Sequence, residues 1–505
     1  MFGGFPSLRT RRRRCWIRFK RSLLFLSFTT VVFIVVIGFF LFFNHYYFRM
    51  IFQQPTRLNR KGSRAQYYPD NILQKIQIAN EANFETVTER ENIRYIQGDS
   101  KPTLLKETKV IRDDQTDSEV IRDDQTDSQN ISISTDVHIF YYGWYGNPSY
   151  DDGKWIHWNH RVLPPWNKKD IKKYNQNRNK HSPPDDIGAN FYPQLGPYSS
   201  RNHEVIRYHV EMIRRSGCGV LVYSWYPPSS NDDQSFSSSD ELLPSLLDIA
   251  EEVNIKVALH VEPFIGRNAS TFRLALEYVV RRFGNHSAFY KRKKSPFSIK
   301  ELPVYYIYDS YNLPSVEWQS LFSTRGDKSI RDTELDGIFL GLLVEFKHRT
   351  EIKRSKFDGF YTYFASNGFT HGSSWKNWKT LSTFANKNSL IFSPSIGPGY
   401  KDTRIRPWNA VNTRYRRKGR YYGAAWKFAL NSGAKMFSIT SFNEWHEGTQ
   451  IEPAVPKTLG NYSYDNYEPN EPDYYLDLTS IWVKKVCKES GRESSCLSKY
   501  IEEEK

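Results

Sequence analysis

GVLVYSWYPPSSNDDQSFSSSDELLPSLLDIAEEVNIKVALHVEPF, residues 219–264, decides the fold. Its two ends, GVLVYSWY (219–226) and KVALHVEPF (256–264), are near-continuous apolar runs rich in β-branched and aromatic residues. Strands covered on both faces read this way. Between them ELLPSLLDIAEEVN (241–254) spaces its apolar residues at helical intervals and ends on Asn, where a C-cap belongs. Strand, helix, strand implies two parallel strands joined by a crossover.

Outward from this unit the pattern repeats. VHIFYYGWY (137–145) precedes it, and PVYYIYDSY (303–311), GIFLGLLVEF (337–346), GFYTYFAS (359–366), SLIFSPSIG (389–397) and KMFSITSFNEW (435–445) follow. Helical patterns fill several gaps: EVIRYHVEMIRRSG (204–217), TFRLALEYVVRRFG (271–284) and YYGAAWKFALNSG (421–433). Eight such units over about 350 residues predict an α/β fold, a closed (β/α)8 TIM barrel with insertions. An open doubly wound sheet is the alternative. No GxGxxG follows any run, which counts against a nucleotide-binding version.

Upstream of the barrel the chain reads differently. Leu23 to Phe43 contains no charged residue. At about 1.5 Å per residue such a helix spans a ~30 Å hydrocarbon core. It is longer than the apolar stretch of a cleavable signal peptide. Residues 1–22 carry eight Lys and Arg and no acid, so this side is expected to stay cytosolic and the rest to be lumenal. Residues 44–135 are polar and include VIRDDQTDS twice, at 110–118 and 120–128, the composition of a disordered stem. The expected order is a basic tail (1–22), a transmembrane signal anchor (23–43), a stem (44–135), the barrel (136–485) and a C-terminal tail (486–505).

The basic tail also accounts for half of the formal charge of +16. The remainder is spread thinly, without a basic helix, so nucleic acid is not the expected partner. Cys218 opens an apolar run, as a buried thiol does, whereas Cys487 and Cys496 can either close a short loop or stay apart. Sequons at Asn130, Asn268, Asn285 and Asn461 agree with a secretory-pathway lumen, where disulfides persist.

A barrel of this kind builds its site at the C-terminal ends of its strands, and polar residues gather there. Tyr141, Tyr142, Trp144 and Tyr145 end the first run, Trp225 and Tyr226 the second, His260 and Glu262 the third. Tyr308 and Asp309 end the fourth, and Tyr361 and Tyr363 the sixth. The sharpest stretch is SITSFNEWHEGTQIEP (438–453). Glu444 and Glu447 are three apart where a strand ends, and a helical turn brings such positions together. Two converging carboxyls suit glycoside cleavage: one protonates the leaving oxygen and the other acts ionised. A capping or salt-bridged Glu pair is the alternative on spacing alone. His260, Glu262 and the EWHE segment offer metal-ligand types, but there is no HExxH, and no metal is expected.

These motifs carry a resemblance. FYYGWYGNP (140–148), HWNHRVLPPW (157–166), DIGANFYPQLGPYSS (186–200), HVEPF (260–264), PGYKDTRIRPWN (398–409) and FNEWHEGTQIEPA (442–454) resemble glycoside hydrolase family 99, in order, from about residue 137 to about 483. The resemblance implies a (β/α)8 hydrolase that needs no cofactor or metal. It implies retaining, endo-acting cleavage of α-1,2-mannosidic links in N-glycans on glycoproteins, with release of a glucose-mannose saccharide. Because that family lacks a carboxylate nucleophile, a 1,2-anhydro sugar is the implied intermediate. Glu444 is then the base for the sugar 2-hydroxyl, in a polar setting that keeps it ionised, and Glu447 the acid/base with a raised pKa. Tyr142, Trp225, His260, Glu262, Tyr308, Tyr363 and Arg404 are the expected substrate contacts, and the 186–200 loop is placed to fold over the substrate. With the type II anchor, the family implies the Golgi membrane. A Golgi glycosyltransferase shares anchor and stem, but no Asp-x-Asp ends any run. An inactive mannose-binding lectin on the same scaffold is the other alternative. Oligomeric state is not legible.

Overall fold

Each apolar run becomes a strand, and each strand stops short of its run's end. The computed structural model describes residues 130–165, 180–228, 234–295, 297–490 and 496–500. Its central strands are β1 (Asn130–Tyr141), β2 (Cys218–Trp225), β3 (Lys256–Val261), β4 (Glu301–Ile307), β5 (Ile338–Leu342), β6 (Gly359–Tyr361), β7 (Ile391–Ser393, resuming at Ser395–Ile396) and β8 (Phe437–Ile439). Neighbours in the chain are neighbours in the sheet, all parallel, and β8 returns to β1 with Ile139 opposite Ile439. The expected anchor and nearly all of the stem lie outside the described residues, as does most of the 166–184 insert. Among the described residues no helix is long and apolar enough to cross a membrane.

The crossovers carry α1 (His203–Arg215), α2 (Gln234–Glu252), α3 (Ala269–Phe283), α4 (Ser315–Phe322), α5 (His348–Arg354), α6 (Trp378–Lys387) and α7 (Arg420–Asn431), and α8 (Tyr474–Ser490) follows β8. Local chemistry explains their limits. Asn202 caps α1 by accepting the Glu204 N–H at 3.0 Å, while Ile206, Val210 and Ile213 bury one stripe. Asn268 and Thr271 close a capping box on α3. Past the ends of α1, α2 and α7, Gly217, Asn254 and Gly433 adopt the left-handed backbone that stops a helix.

The barrel closes through an interrupted strand. Pro394 lacks an amide hydrogen and splits β7, whose first half pairs with β6 and second with β8. Hydroxyls mend the gap. The Ser395 N–H donates to Thr362 Oγ1 at 2.9 Å, the Tyr363 N–H to Ser395 Oγ at 2.7 Å, and the Ser395 and Ser438 hydroxyls meet at 2.9 Å. Aromatic rings fill the interior: Phe140 lies 4.8 Å from His260, 5.5 Å from Tyr306 and 5.7 Å from Tyr361. The lumen is therefore a packed core and not a pore.

The boundaries differ from the sequence reading at both ends. β1 starts at Asn130, ahead of residue 136, because NISIST alternates apolar and polar residues and continues as a strand. The segment expected as a tail instead supplies the end of α8 and β9 (Cys496–Tyr500), which pairs antiparallel with β1, Ser134 opposite Cys496. A Cys487–Cys496 disulfide ties β9 to α8, and Cys218 is a buried free thiol.

Candidate active site

Because β8 ends at Ile439, the rest of its run turns over the barrel mouth. The Ser441 hydroxyl accepts the Glu444 N–H at 2.8 Å, starting the turn that carries both glutamates. Gly448 ends it with φ +61, where an added Cβ would stand 2.6 Å from the Lys401 carbonyl. Only glycine fits that position. Asn443 anchors the turn to β1: its Oδ1 accepts the Tyr142 N–H and its Nδ2 donates to the Tyr142 carbonyl, each at 2.8 Å. Tyr145 completes the clamp, its hydroxyl donating to the Asn443 carbonyl at 3.0 Å and reaching Glu444 Oε2 at 3.4 Å.

Glu444 is buried, and Glu447 keeps 20% of its side chain exposed. Burial pushes the Glu444 carboxyl well up, and the charge of Glu447 pushes it further. Burial also raises Glu447, but the Arg406 guanidinium, 3.4 Å away, opposes that rise. Asp402 holds Arg406 from the other side at 3.2 Å and is itself fixed by Tyr400 and Asn409. Of the two carboxyls, Glu444 is therefore the more strongly raised. A raised Glu447 is what the sequence leads one to expect; the ionised Glu444 expected beside it is instead buried and raised more strongly, because the Arg406 charge stands next to Glu447. Burial keeps His157 and His160 neutral, down at about 3 and about 4, and lowers His446 as well, so these rings add no charge behind the pair.

A third carboxyl faces them. Glu262 follows β3, accepts the Ser224 hydroxyl at 2.8 Å and lies 3.2 Å from His260 Nδ1. The other nitrogen of His260 bonds the Tyr361 hydroxyl at 2.8 Å. Tyr142 and Tyr363 hydrogen-bond through their hydroxyls. Burial raises the Tyr142 hydroxyl, and then Glu262, Glu444 and Glu447 each raise it; Tyr363 feels Glu447 and Glu444 after burial and Tyr142. The three carboxyls therefore converge on Tyr142, and Glu444 and Glu447 on Tyr363 as well. Tyr308, partly exposed, sets its ring 5.1 Å from both His260 and Tyr363.

The structure thus brings Glu444, Glu447, Glu262, His260, Tyr142, Tyr308 and Tyr363 together, and leaves two expected contacts out. Trp225 is 1% exposed, its indole N–H donating to Asp240 at 2.9 Å, so it shows no face on which a sugar could stack. Trp144, half-buried at the mouth, already stacks on Tyr142 at 4.5 Å and on His157 at 4.8 Å. Arg404 pairs with Asp186, donates to the Ile187 carbonyl at 3.1 Å and lies over the Tyr462 ring. It fastens the 186–200 loop, which is a fixed wall with Ile187, Ala189 and Phe191 buried, not a free cover. The arginine at the glutamates is Arg406, in the same RIR triplet and missed because spacing alone does not choose between them. Among the described residues no three His, Cys, Asp or Glu side chains converge as a metal set.

A barrel mouth with paired acids, a third carboxylate and an aromatic platform can protonate a glycosidic oxygen and grip sugar hydroxyls. Comparison with known proteins points the same way. The model of Glycosyl hydrolase family 99 matches residues 132–488. The Mus musculus glycoprotein endo-alpha-1,2-mannosidase is 50% identical over 353 residues, 70% of this chain and 75% of its own length. The Homo sapiens glycoprotein endo-alpha-1,2-mannosidase-like protein is 48% identical over 361 residues, 72% of this chain and 78% of its own. The solved structure of the GH99 endo-alpha-mannosidase from Bacteroides thetaiotaomicron is 43% identical, with a TM-score of 0.64 over 70% of this chain and 98% of that one. A match of this extent across the whole barrel makes the chain a glycoside hydrolase, a member of glycosyl hydrolase family 99.

Proposed function

We propose that this chain is a retaining endo-α-1,2-mannosidase that trims glucosylated mannose branches of N-glycans on glycoproteins. The observation that carries the reading is the convergence of Glu444, Glu447 and Glu262 on Tyr142 at the barrel mouth. The names of the relatives supply the linkage.

In the first step the Glu444 carboxylate takes the proton from the mannose 2-hydroxyl. Its oxygen attacks C1 as the C1–O bond to the next mannose breaks, and the Glu447 proton passes to the leaving oxygen. A 1,2-anhydro sugar results. In the second step Glu447, now ionised, takes a proton from water. The water oxygen bonds to C1, the C1–O2 bond opens, and Glu444 returns the proton to O2. Two inversions retain the α configuration.

Burial raises Glu444 more strongly than Glu447, and the substrate itself supplies the opposite bias. A 2-hydroxyl donating to Glu444 stabilises its ionised form, whereas a glycosidic oxygen can only accept, which favours a protonated Glu447. A base desolvated in this way is also stronger once ionised. Glu262 and the partly exposed Tyr308 are assigned to grip the sugar.

The proposal includes the setting: a Golgi membrane protein with a type II anchor at 23–43. The uncharged segment, the sequons and the Cys487–Cys496 disulfide support it.

Incubating the protein with glucosylated and unglucosylated high-mannose glycans, followed by mass spectrometry, tests the function. A glucose-mannose disaccharide released from the glucosylated glycan is expected; transfer of a sugar, or binding without cleavage, would favour a glycosyltransferase or a lectin. NMR of the first-formed product should show the α-anomer, and a β-anomer would end the retaining assignment. Glu447→Gln should lower kcat by about 10²-fold or more, and unchanged turnover would remove Glu447 from the mechanism.

A further inference from the structure

Beside the segment that positions Glu447 lies a cavity of about 380 Å³, walled chiefly by the loops that follow β7 and β8, with Phe191 and Tyr475. Its charge is one-sided. Lys401 is neutralised by Asp465 at 2.6 Å. Arg414, Arg416, Arg417 and Lys418 also line it, and among the described residues none of these four pairs with a carboxylate. Glu468 is the remaining acid of the lining and accepts from Asn466 at 3.2 Å.

Arg416 is the least expected of the four, with 9% of its surface exposed. Its Nη2 donates to the Gly448 and Gln450 carbonyls at 3.0 and 2.6 Å. The guanidinium lies over the rings of Phe191, Tyr467 and Tyr475 at 4.6, 4.9 and 4.6 Å. An arginine does not give up its proton, and a buried charge is ordinarily met by an opposite one. Here carbonyls and ring faces soften the charge, but no acid answers it, and Arg417 and Lys418 stand exposed beside it.

A concentration of unanswered cations around a cavity selects an oxyanion. Guanidinium and ammonium groups together match a phosphate better than a single carboxylate. The volume is much more than a bare oxyanion fills and falls within the range of small-molecule pockets. Tyr400, Tyr464 and Tyr467 add aromatic carbon to the wall, their hydroxyls being held by Asp402 and the carbonyls of Asp185 and Glu452, and aromatic carbon suits the apolar face of a sugar ring. The cavity also touches the catalytic turn: the Lys401 N–H donates to the Glu447 carbonyl at 2.8 Å, and Arg416 holds the carbonyl of Gly448. We propose that this pocket binds a hexose bearing a phosphate monoester, such as a phosphorylated branch of the glycan being processed; the inference rests on the reading of this barrel face as glycan-handling.

Titration calorimetry on the full-length protein in detergent tests it, with mannose 6-phosphate, inorganic phosphate and mannose as probes. Arg417 and Lys418 have φ of 50° and 54°, so Asn, which tolerates that backbone, is the substitution to use at both. Mannose 6-phosphate should bind more tightly than inorganic phosphate, and mannose should give no heat at this pocket. Arg417→Asn with Lys418→Asn should weaken mannose 6-phosphate by about tenfold or more, the value of one charge-assisted contact. Equal affinities for the two phosphates would overturn the sugar-bearing ligand. Flat titrations, or affinity indifferent to the two substitutions, would overturn the site. The titration reads no cleavage, so its failure is separate from a failure of the hydrolase reading.

Discussion

Arg406 lies 3.4 Å from Glu447 while Asp402 holds it at 3.2 Å, so its charge bears on one glutamate more directly than on the other. Removing that charge should raise Glu447 further. If Glu447 must be protonated to act, Arg406→Gln should move the alkaline limb of kcat/KM to higher pH, by roughly one unit. A limb that stays in place or moves down would contradict the assignment. Glu444 yields a stability prediction of definite sign. Its folded pKa is raised, so protonation favours the folded state. The resulting cost is absent at pH well below the unfolded carboxylate value and complete above the raised one. Glu444→Gln should therefore stabilise the protein at neutral and alkaline pH, by roughly 2–4 °C in Tm for each kcal/mol relieved, with the gain fading in acid. Thermal melts across pH would show this, and a Tm lowered at pH 8 would refute it.

At the scale of strands and helices, the apolar runs were informative because burial on both faces leaves a composition visible without coordinates. All eight became strands in the expected order. Where each strand stopped was less visible. The last residues of the runs mix polar side chains with apolar and aromatic ones, and they bend over the mouth to hold Tyr142, Trp144 and the glutamates. Trp225 shows the limit: it ends β2 where a binding residue could stand, yet its indole is turned to Asp240. Trp225→Phe should lower stability by roughly 1–3 kcal/mol through the lost hydrogen bond and volume and leave KM unchanged. Denaturant titration and kinetics would separate this from a sugar-stacking role. Arg404 and Arg406 make a similar case. Two residues apart in one loop, they face different partners, Asp186 and Glu447, and only the path of the backbone tells them apart.

Over the whole molecule, β9 and the Cys487–Cys496 disulfide fasten the end of the described chain to β1 and α8. With nine residues of separation, loop closure assigns the crosslink about 2–3 kcal/mol. Cys487→Ser with Cys496→Ser should lower stability by that order in a non-reducing melt, and an unchanged Tm would show β9 held by pairing alone. The split in β7 has a broader consequence. Elsewhere around the ring, backbone amides join the strands, but at Pro394 buried serine and threonine hydroxyls share the task, and such side-chain bonds lack the reinforcement of a continuous ladder. Deuterium uptake on warming should therefore start along this seam, at the amides of Tyr363 and Ser395, which hydroxyls hold. Since the glutamate-bearing turn hangs from the adjacent β8, heat inactivation would precede loss of secondary structure, and the enzyme's working ceiling would be lower than its melting point.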